Sequence, residues 1–124
     1  MVQYFQKMIK EKKIRPSSSS VGSSMLFVPK PNGKGLRLCV AYRHLNNHTR
    51  KDKMPLPIMD ELSRKIRNYN FISKIDMLAG FHLMRIVMGH ENITAFRTRF
   101  GLYKYLFMPF GLINALTTVQ REMN

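Results

Sequence analysis

The stretch that most constrains this chain is residues 71–83, FISKIDMLAGFHL. It is mostly apolar up to the acid Asp76, and a turn containing Gly80 and then the aromatic Phe81 follow. This pattern predicts a buried β-strand over residues 71–77 that ends close to an acid. A carboxylate at the end of a buried strand is costly unless a metal ion, a cationic partner or a hydrogen-bond donor compensates it. The rest of the chain favours the metal ion.

The charge of the chain predicts a polyanionic partner. Its 124 residues include 21 Lys plus Arg against 7 Asp plus Glu, for a formal net charge of +14 and a sequence pI near 10.4. Residues 1–75 carry 16 basic and 4 acidic side chains, whereas residues 76–124 carry 5 and 3. Such an excess attracts nucleic acid or an anionic membrane surface. The basic first part therefore predicts a surface that attracts a polyanion, next to a more neutral second part that carries the functional centre.

Other features narrow the class of protein. The 44% apolar composition is sufficient for a packed core, and the single cysteine, Cys39, excludes an intrachain disulfide. No apolar run reaches the roughly 18 residues that a membrane span needs. The N-terminal sequence also lacks the apolar region of a secretory signal. We therefore expect an intracellular protein, in the cytoplasm or the nucleus, with no membrane partner.

Periodicity predicts a mixed α+β fold. Helical spacing is expected over residues 2–13, from Ile58 onward and from Leu112 onward. Residues 25–29 and 36–41 flank a Gly- and Asn-rich turn and predict a β-hairpin. Further strands are expected over residues 71–77, 82–87, 94–98 and 104–108. These elements divide the chain into an N-terminal helix with a Ser-rich linker, a hairpin with a helix, and a sheet-forming part, at residues 1–24, 25–70 and 71–124.

Two sets of polar residues are candidates for ligand binding. Lys30 and Arg37 lie on the predicted hairpin, where the compact ammonium of Lys30 and the planar guanidinium of Arg37 would suit a triphosphate. The alternative is a hairpin whose basic side chains are only solvated. No P-loop pattern is present. His44 and His48 have the spacing of zinc ligands on one helix face. With no third ligand nearby in sequence, surface polar residues are the favoured interpretation of this pair.

Seven motifs follow one another along the chain: IRPSSS, LFVPK, LRLCVAYRHLN, KMPLPIMDEL, FISKIDMLAGFH, TAFRT and MPFGLINA. Their order resembles that in the reverse transcriptase of gypsy-type long-terminal-repeat retrotransposons. The resemblance implies a partial fingers and palm fold, with an antiparallel sheet packed on helices, in which residues 25–70 belong to the fingers and residues 71–124 to the palm. KID followed by an aromatic residue, TAFRT and MPFGL are its most specific parts.

The resemblance implies a role for each matched residue. Asp76 would be the first catalytic aspartate, and it would bind Mg²⁺ together with the carbonyl oxygen of Met77. The other matched positions would contact the incoming deoxynucleotide triphosphate or the nucleic acid. They are Lys30 and Arg37 for the triphosphate, the backbone of Leu78 and Ala79 for the phosphates, Phe81 for the ribose 2′ position, Phe110 and Gly111 for the nascent base pair, and Arg43 and Asn46 for the template strand.

The same resemblance predicts an incomplete catalytic centre. The family has a YxDD-like pair after the MPFGL segment, and this sequence ends without one. Ala41 and Leu83 also replace an acid and a glutamine of the family pattern. One carboxylate supplies too few oxygen ligands for two Mg²⁺ ions. We expect a truncated RNA-directed DNA polymerase that binds primer–template and deoxynucleotides, and that needs the rest of the polymerase for activity. The alternatives are a non-catalytic basic nucleic-acid-binding remnant of the polyprotein and a relic without a role.

Overall fold

The computed structural model describes residues 2–31 and 33–123. This part of the chain forms a mixed α+β fold with four α-helices, five strands and two short 3₁₀ helices. The helices are α1 (Val2–Lys10), α2 (Arg43–His48), α3 (Met59–Ile66) and α4 (Ala115–Met123). The strands are β1 (Ile14–Pro16), β2 (Ser23–Pro29), β3 (Leu36–Val40), β4 (Phe96–Thr98) and β5 (Gly101–Tyr105). The 3₁₀ helices span Gly80–Leu83 and Glu91–Thr94.

The five strands form one sheet in the order β1-β5-β4-β2-β3. Three of the four pairings are antiparallel, as expected, but β2 and β4 pair in parallel through Ser23 and Phe96. The hairpin predicted from residues 25–29 and 36–41 is confirmed as β2 and β3, with Met25 opposite Val40. The expected antiparallel sheet is thus present with one parallel pairing, between two strands that are distant in sequence.

The core lies where α1 packs on the sheet. Phe5 and Met8, about one helical turn apart, form the buried face of α1. The Phe5 ring stacks on Tyr103 and on Phe96, with centroids 5.8 Å and 6.4 Å apart. This aromatic packing joins the N-terminal helix to β4 and β5. The buried cluster contains Phe5, Met8, Ile14, Leu38, Val40, Tyr42, Phe96 and Tyr105.

The three predicted helices are present, but they begin or end at different residues from those predicted. The first helix ends at Lys10 and not at residue 13, because Lys12 has a left-handed backbone with φ of 54°. The helix expected from Ile58 is α3, and the helix expected from Leu112 begins three residues later, at Ala115. Among the described residues, no helix has the length and apolar content needed to cross a membrane.

The strand predicted over residues 71–77 is wrong. These residues have no regular secondary structure, and Phe71, Ile75 and Leu78 are 94%, 89% and 91% exposed. Within the described ranges, no neighbouring strand supplies backbone hydrogen bonds to this segment. Asp76 is exposed as well, so its carboxylate is solvated by water and does not need a charged partner to offset burial. An apolar sequence favours a strand only where another strand is available to pair with it.

The later strands are shorter than predicted or lie elsewhere. Residues 82–87 contain a 3₁₀ turn and one isolated bridge, from Arg85 to Phe107, in place of a strand. The strand expected over residues 94–98 is reduced to β4, because Thr94 is the last residue of the Glu91–Thr94 3₁₀ helix. The strand expected over residues 104–108 begins earlier, as β5.

Candidate nucleotide and nucleic-acid site

The hairpin presents both of its candidate cations to solvent. The Lys30 amide donates to the Gly35 carbonyl at 3.1 Å, and the Gly33 amide donates to the Lys30 carbonyl at 2.9 Å. Gly33 has a φ of 66°, a conformation that glycine adopts readily. Arg37 lies opposite Val28 on β3. Both side chains are exposed and form no ion pair within the described residues, so they remain available to an anion.

The turn after residues 71–77 is strained at one residue. Ala79 has a φ of 54° and a ψ of 41°, a left-handed conformation that is unfavourable for alanine. Its carbonyl accepts a hydrogen bond of 2.8 Å from the His82 amide and starts the Gly80–Leu83 3₁₀ helix. Leu78 is almost fully exposed immediately before it, and Met77 is 38% exposed. The turn therefore presents its backbone at the surface.

Phe81 and Phe110 are brought together by the fold. Their ring centroids lie 4.8 Å apart with an interplanar angle of 62°, an edge-to-face contact. His82 also contacts Phe110, with centroids 5.7 Å apart at 88°. Phe110 remains 42% exposed, so this aromatic pair is accessible from solvent. Two residues that the family resemblance placed around one nucleotide are therefore neighbours.

Asn46 and Gly111 are a second pair of predicted residues in direct contact. The Asn46 side-chain amide donates to the Gly111 carbonyl at 2.8 Å, and its oxygen accepts from the Ile113 amide at 2.9 Å. Gly111 has a φ of 100°, and a Cβ atom there would lie 3.3 Å from the Val40 carbonyl oxygen. Asn46 thus holds the loop after Phe110 against α2. Its contact with a template strand stays a prediction, as does that of the exposed Arg43, the first residue of α2.

The His82 ring lies beside this pair and is partly buried. It stacks near Tyr105, with centroids 6.3 Å apart, and its Nδ1 atom is buried without a hydrogen-bond partner among the described residues. Burial lowers the pKa of His82 below its ordinary value, and the nearby Lys13 charge adds to this effect. The fold therefore favours the neutral imidazole over the imidazolium.

Asp76 does not form a metal centre with its neighbours. Its carboxylate is exposed and has neither a hydrogen bond nor an ion pair within residues 2–31 and 33–123. The same residues contain no cluster of three or more His, Cys, Asp or Glu side chains that could hold a metal ion. Mg²⁺ takes six oxygen ligands in near-octahedral geometry. One carboxylate and the adjacent Met77 carbonyl do not fit a two-metal centre on their own.

The histidine pair on α2 is close but has no third ligand. The rings of His44 and His48 are 4.6 Å apart, and His48 Nδ1 lies 2.9 Å from the His44 carbonyl oxygen. No third ligand joins them in the part of the chain that is described. Both side chains are exposed at the surface.

Asn114 is a residue that sequence reasoning missed. Its side-chain amide donates to the Arg50 carbonyl at 2.9 Å, and its oxygen accepts from the Asp52 amide at 2.9 Å. It therefore joins the start of α4 to the segment after α2, in the same way that Asn46 joins α2 to the loop at Gly111. An Asn directly before a helix is typical of a helix N-cap. The hydrogen bonds of Asn114 to residues 50–52 form only in the folded chain, so the sequence alone did not indicate them.

Comparison with solved structures identifies the fold. The chain superposes on a foamy viral protease–reverse transcriptase in complex with an RNA/DNA hybrid with a TM-score of 0.80 and 19% identity, over 98% of this chain and 16% of that one. A second foamy viral protease–reverse transcriptase, in complex with double-stranded DNA, gives a TM-score of 0.79 and 23% identity over 98% and 21% of the two chains. The fold is that of a reverse transcriptase.

Comparison of sequences identifies the family. The family model for reverse transcriptase (RNA-dependent DNA polymerase) matches residues 28–124. The chain is 43% identical to the retrovirus-related Pol polyprotein from transposon 297 and 38% identical to that from transposon 412, both of Drosophila melanogaster, over 96% and 95% of its length. A Tf2-3 transposon polyprotein of Schizosaccharomyces pombe is 35% identical over 90%. The chain belongs to the reverse transcriptase family, and it spans 12%, 10% and 8% of these three polyproteins.

Proposed function

We propose that this chain is the fingers and first palm part, residues 25–70 and 71–124, of a gypsy-type retrotransposon reverse transcriptase, and that it binds primer–template and deoxynucleotide triphosphates. The family membership and the transposon relatives support this assignment. Foamy viral neighbours of the same fold are complexes with an RNA/DNA hybrid and with double-stranded DNA. An intracellular location follows from a substrate of this kind.

The observation that carries the proposal is the contact between Phe81 and Phe110. In the proposed arrangement, the Phe81 ring packs beneath the sugar of the incoming nucleotide and leaves no room for a 2′-hydroxyl. Phe110, with Gly111 behind it, packs on the nascent base pair. The edge-to-face contact at 4.8 Å supports this arrangement, since two rings in contact can both face one bound nucleotide.

The cationic and backbone groups complete the proposed nucleotide site. Lys30 and Arg37 would hold the triphosphate, and their exposure without ion pairs supports that role. The backbone of Leu78 and Ala79 would also contact phosphate. Arg43 and Asn46, both on α2, would contact the template strand.

We propose that the chain by itself binds nucleic acid without extending a primer. Asp76 and Met77 would supply one carboxylate and one carbonyl to a Mg²⁺ site, and the residues described here do not complete it. The remaining ligands would come from the rest of the polymerase, which is the proposed protein partner. A non-catalytic nucleic-acid binder is the second candidate, and the net charge of +12 over residues 1–75 supports it.

A binding experiment tests the shared part of both candidates. Fluorescence anisotropy of a labelled primer–template should show an affinity that falls steeply with salt concentration, because phosphate contacts release counterions. Affinity independent of salt would contradict nucleic-acid binding by this basic surface.

Binding of a deoxynucleotide triphosphate distinguishes the two candidate functions, the polymerase part and the non-catalytic nucleic-acid binder. A dNTP with Mg²⁺ should tighten the complex of the chain with primer–template, and Lys30→Gln with Arg37→Gln should remove this effect. Lys10→Gln with Lys65→Gln, at two exposed positions elsewhere, should retain it. No effect of dNTP on the wild-type complex would favour the non-catalytic candidate. Primer extension by the chain alone that is lost in Asp76→Asn would show that the catalytic centre is complete after all.

A further inference from the structure

Three cations surround an open hollow on the segment between α2 and α3. Arg50, Lys51, Asp52 and Lys53 line this hollow, which has a volume of about 620 Å³. The three basic side chains are exposed and form no ion pair within the described residues. A concentration of unpaired positive charge in a concave surface attracts an anion more strongly than the same charges would on a flat surface.

The backbone of this segment is held in place from outside. Asn114 uses both polar atoms of its side chain, one on the Arg50 carbonyl and one on the Asp52 amide, each at 2.9 Å. The loop on which the cations lie is therefore fixed to the start of α4. A fixed loop loses less conformational entropy when a ligand orders its side chains.

The one acid in the hollow is already engaged. The Asp52 carboxylate accepts a hydrogen bond of 3.0 Å from the Met54 amide, and it forms an ion pair with Arg121 of α4. Its negative charge is thus compensated by groups outside the three cations. Asp52 acts as a second attachment of the loop to α4 and leaves Arg50, Lys51 and Lys53 free to meet an anion.

We infer that Arg50, Lys51 and Lys53 form a phosphate-binding site for the backbone of a nucleic-acid strand, and that Asn114 is the residue that positions it. Phosphodiester groups repeat along a strand, so three neighbouring cations can contact successive phosphates. Asn46 holds the Phe110–Gly111 loop from α2, while Asn114 holds residues 50–52 from the other end of the same loop. The cationic hollow is thereby joined to the loop that carries the nucleotide site. This inference rests on the proposed nucleic-acid binding.

The salt dependence of duplex binding tests the site. The full chain carrying Lys51→Gln and Lys53→Gln should bind a labelled primer–template with a slope of log K against log salt that is smaller by about 0.9 for each lost contact, or about 2 in total. The control carries Lys10→Gln and Lys65→Gln, which remove the same charge from exposed positions on α1 and α3. This control should keep the wild-type slope.

A second pair of variants tests the role of Asn114. Asn114→Ala keeps every cation but frees the loop, so the slope should fall toward that of the double lysine variant. Thr98→Val is the control for a loss of hydrogen bonds elsewhere in the chain. It removes a hydroxyl that donates to the Gly101 carbonyl and accepts from the Phe100 amide. It should keep the slope. Thermal unfolding of both variants separates this effect from a loss of folded protein.

The outcomes distinguish this inference from the proposed function. If the wild-type chain binds duplex with a steep slope and the double lysine variant has the same slope, the hollow is not a phosphate site, and nucleic-acid binding stands. An unchanged slope in Asn114→Ala, together with a reduced one in the lysine variant, would overturn only the positioning role. If the wild-type chain shows no salt-dependent binding, the proposed function itself fails.

Discussion

The Tyr42 hydroxyl donates a hydrogen bond of 2.8 Å to the carbonyl oxygen of Thr94, and both residues are 1% exposed. This bond fixes the residue before α2 to the 3₁₀ helix Glu91–Thr94. Because Asn46 on α2 in turn holds the Gly111 loop, the bond connects the core to the candidate site. Burial raises the pKa of the Tyr42 phenol, which keeps the hydroxyl as a donor.

Removal of this hydroxyl should destabilise the chain. Tyr42→Phe leaves the buried Thr94 carbonyl without its donor, at a cost of about 1–3 kcal/mol in the free energy of unfolding. Urea denaturation followed by circular dichroism measures it. Tyr69→Phe is the matched control, because Tyr69 is 69% exposed. Its urea denaturation midpoint should equal that of the wild type. Equal midpoints for the two variants would contradict the assigned role of the bond.

A side chain at Gly111 should be poorly tolerated. Gly111→Ala forces alanine to a φ of 100° and places its Cβ against the Val40 carbonyl, so we expect a loss of more than about 1 kcal/mol. Gly80→Ala is the control, because its Cβ would meet only Met77 side-chain atoms at 3.7 Å and beyond. Denaturant midpoints of both variants test this, and a Gly111→Ala variant as stable as Gly80→Ala would show that the loop adapts.

The carboxylate of Glu91 should support the fold above its own pKa. Burial tends to raise the pKa of Glu91, but the Gly89 amide, at 3.2 Å, and the Arg15 guanidinium, at 3.3 Å, outweigh it and hold that pKa below the ordinary 4.5. The unfolded state then binds more protons in acid, so this stabilisation is present above about pH 4.5 and disappears as the pH falls through the lower folded value.

Glu91→Gln should therefore reduce stability at pH 7 and approach the wild type in acid. Thermal unfolding between pH 7 and pH 3 measures the difference. Glu61→Gln is the control, because Glu61 is exposed on α3 and has no ion pair in the described part of the chain. A constant difference between Glu91→Gln and the wild type at all pH values would exclude a role for ionisation.

The neutral His82 should make the chain less stable in mild acid. Because the folded pKa lies below the ordinary 6.5, the unfolded state takes up its proton first, so stability is complete above about pH 6.5 and falls below it. His82→Phe, which removes the titrating group, should lose less stability between pH 8 and pH 5 than the wild type. His90→Phe, at an exposed position, should keep the wild-type profile. Parallel profiles for His82→Phe and wild type would contradict this.

The exposed apolar segment 71–78 should promote association of copies of the chain. Its backbone is unpaired in the described structure and its large side chains face solvent, which is typical of segments that aggregate. Phe71→Lys should lower light scattering at a given concentration. Val21→Lys adds the same charge at another exposed position and should lower it less. Equal effects would mean that net charge alone controls association.

The sequence predicted the hairpin, three of the four helices and the family, and each has a local cause, whereas α2 was not predicted. Apolar runs on both sides of a Gly- and Asn-rich turn predict β2 and β3, and acids before bases predict α3. The order of motifs is a property of the chain itself, so it needed no structure. The strand over residues 71–77 was predicted wrongly, because pairing depends on a neighbouring strand and not on the segment alone.

The sequence by itself determined that this chain is a basic α+β member of the reverse transcriptase family, because composition, periodicity and motif order are local properties. Only the tertiary structure decided that Phe81 meets Phe110, that Asn46 and Asn114 hold loops far from them in sequence, and that Asp76 lies exposed. These contacts join segments more than 25 residues apart, and their formation depends on the packing of the whole chain.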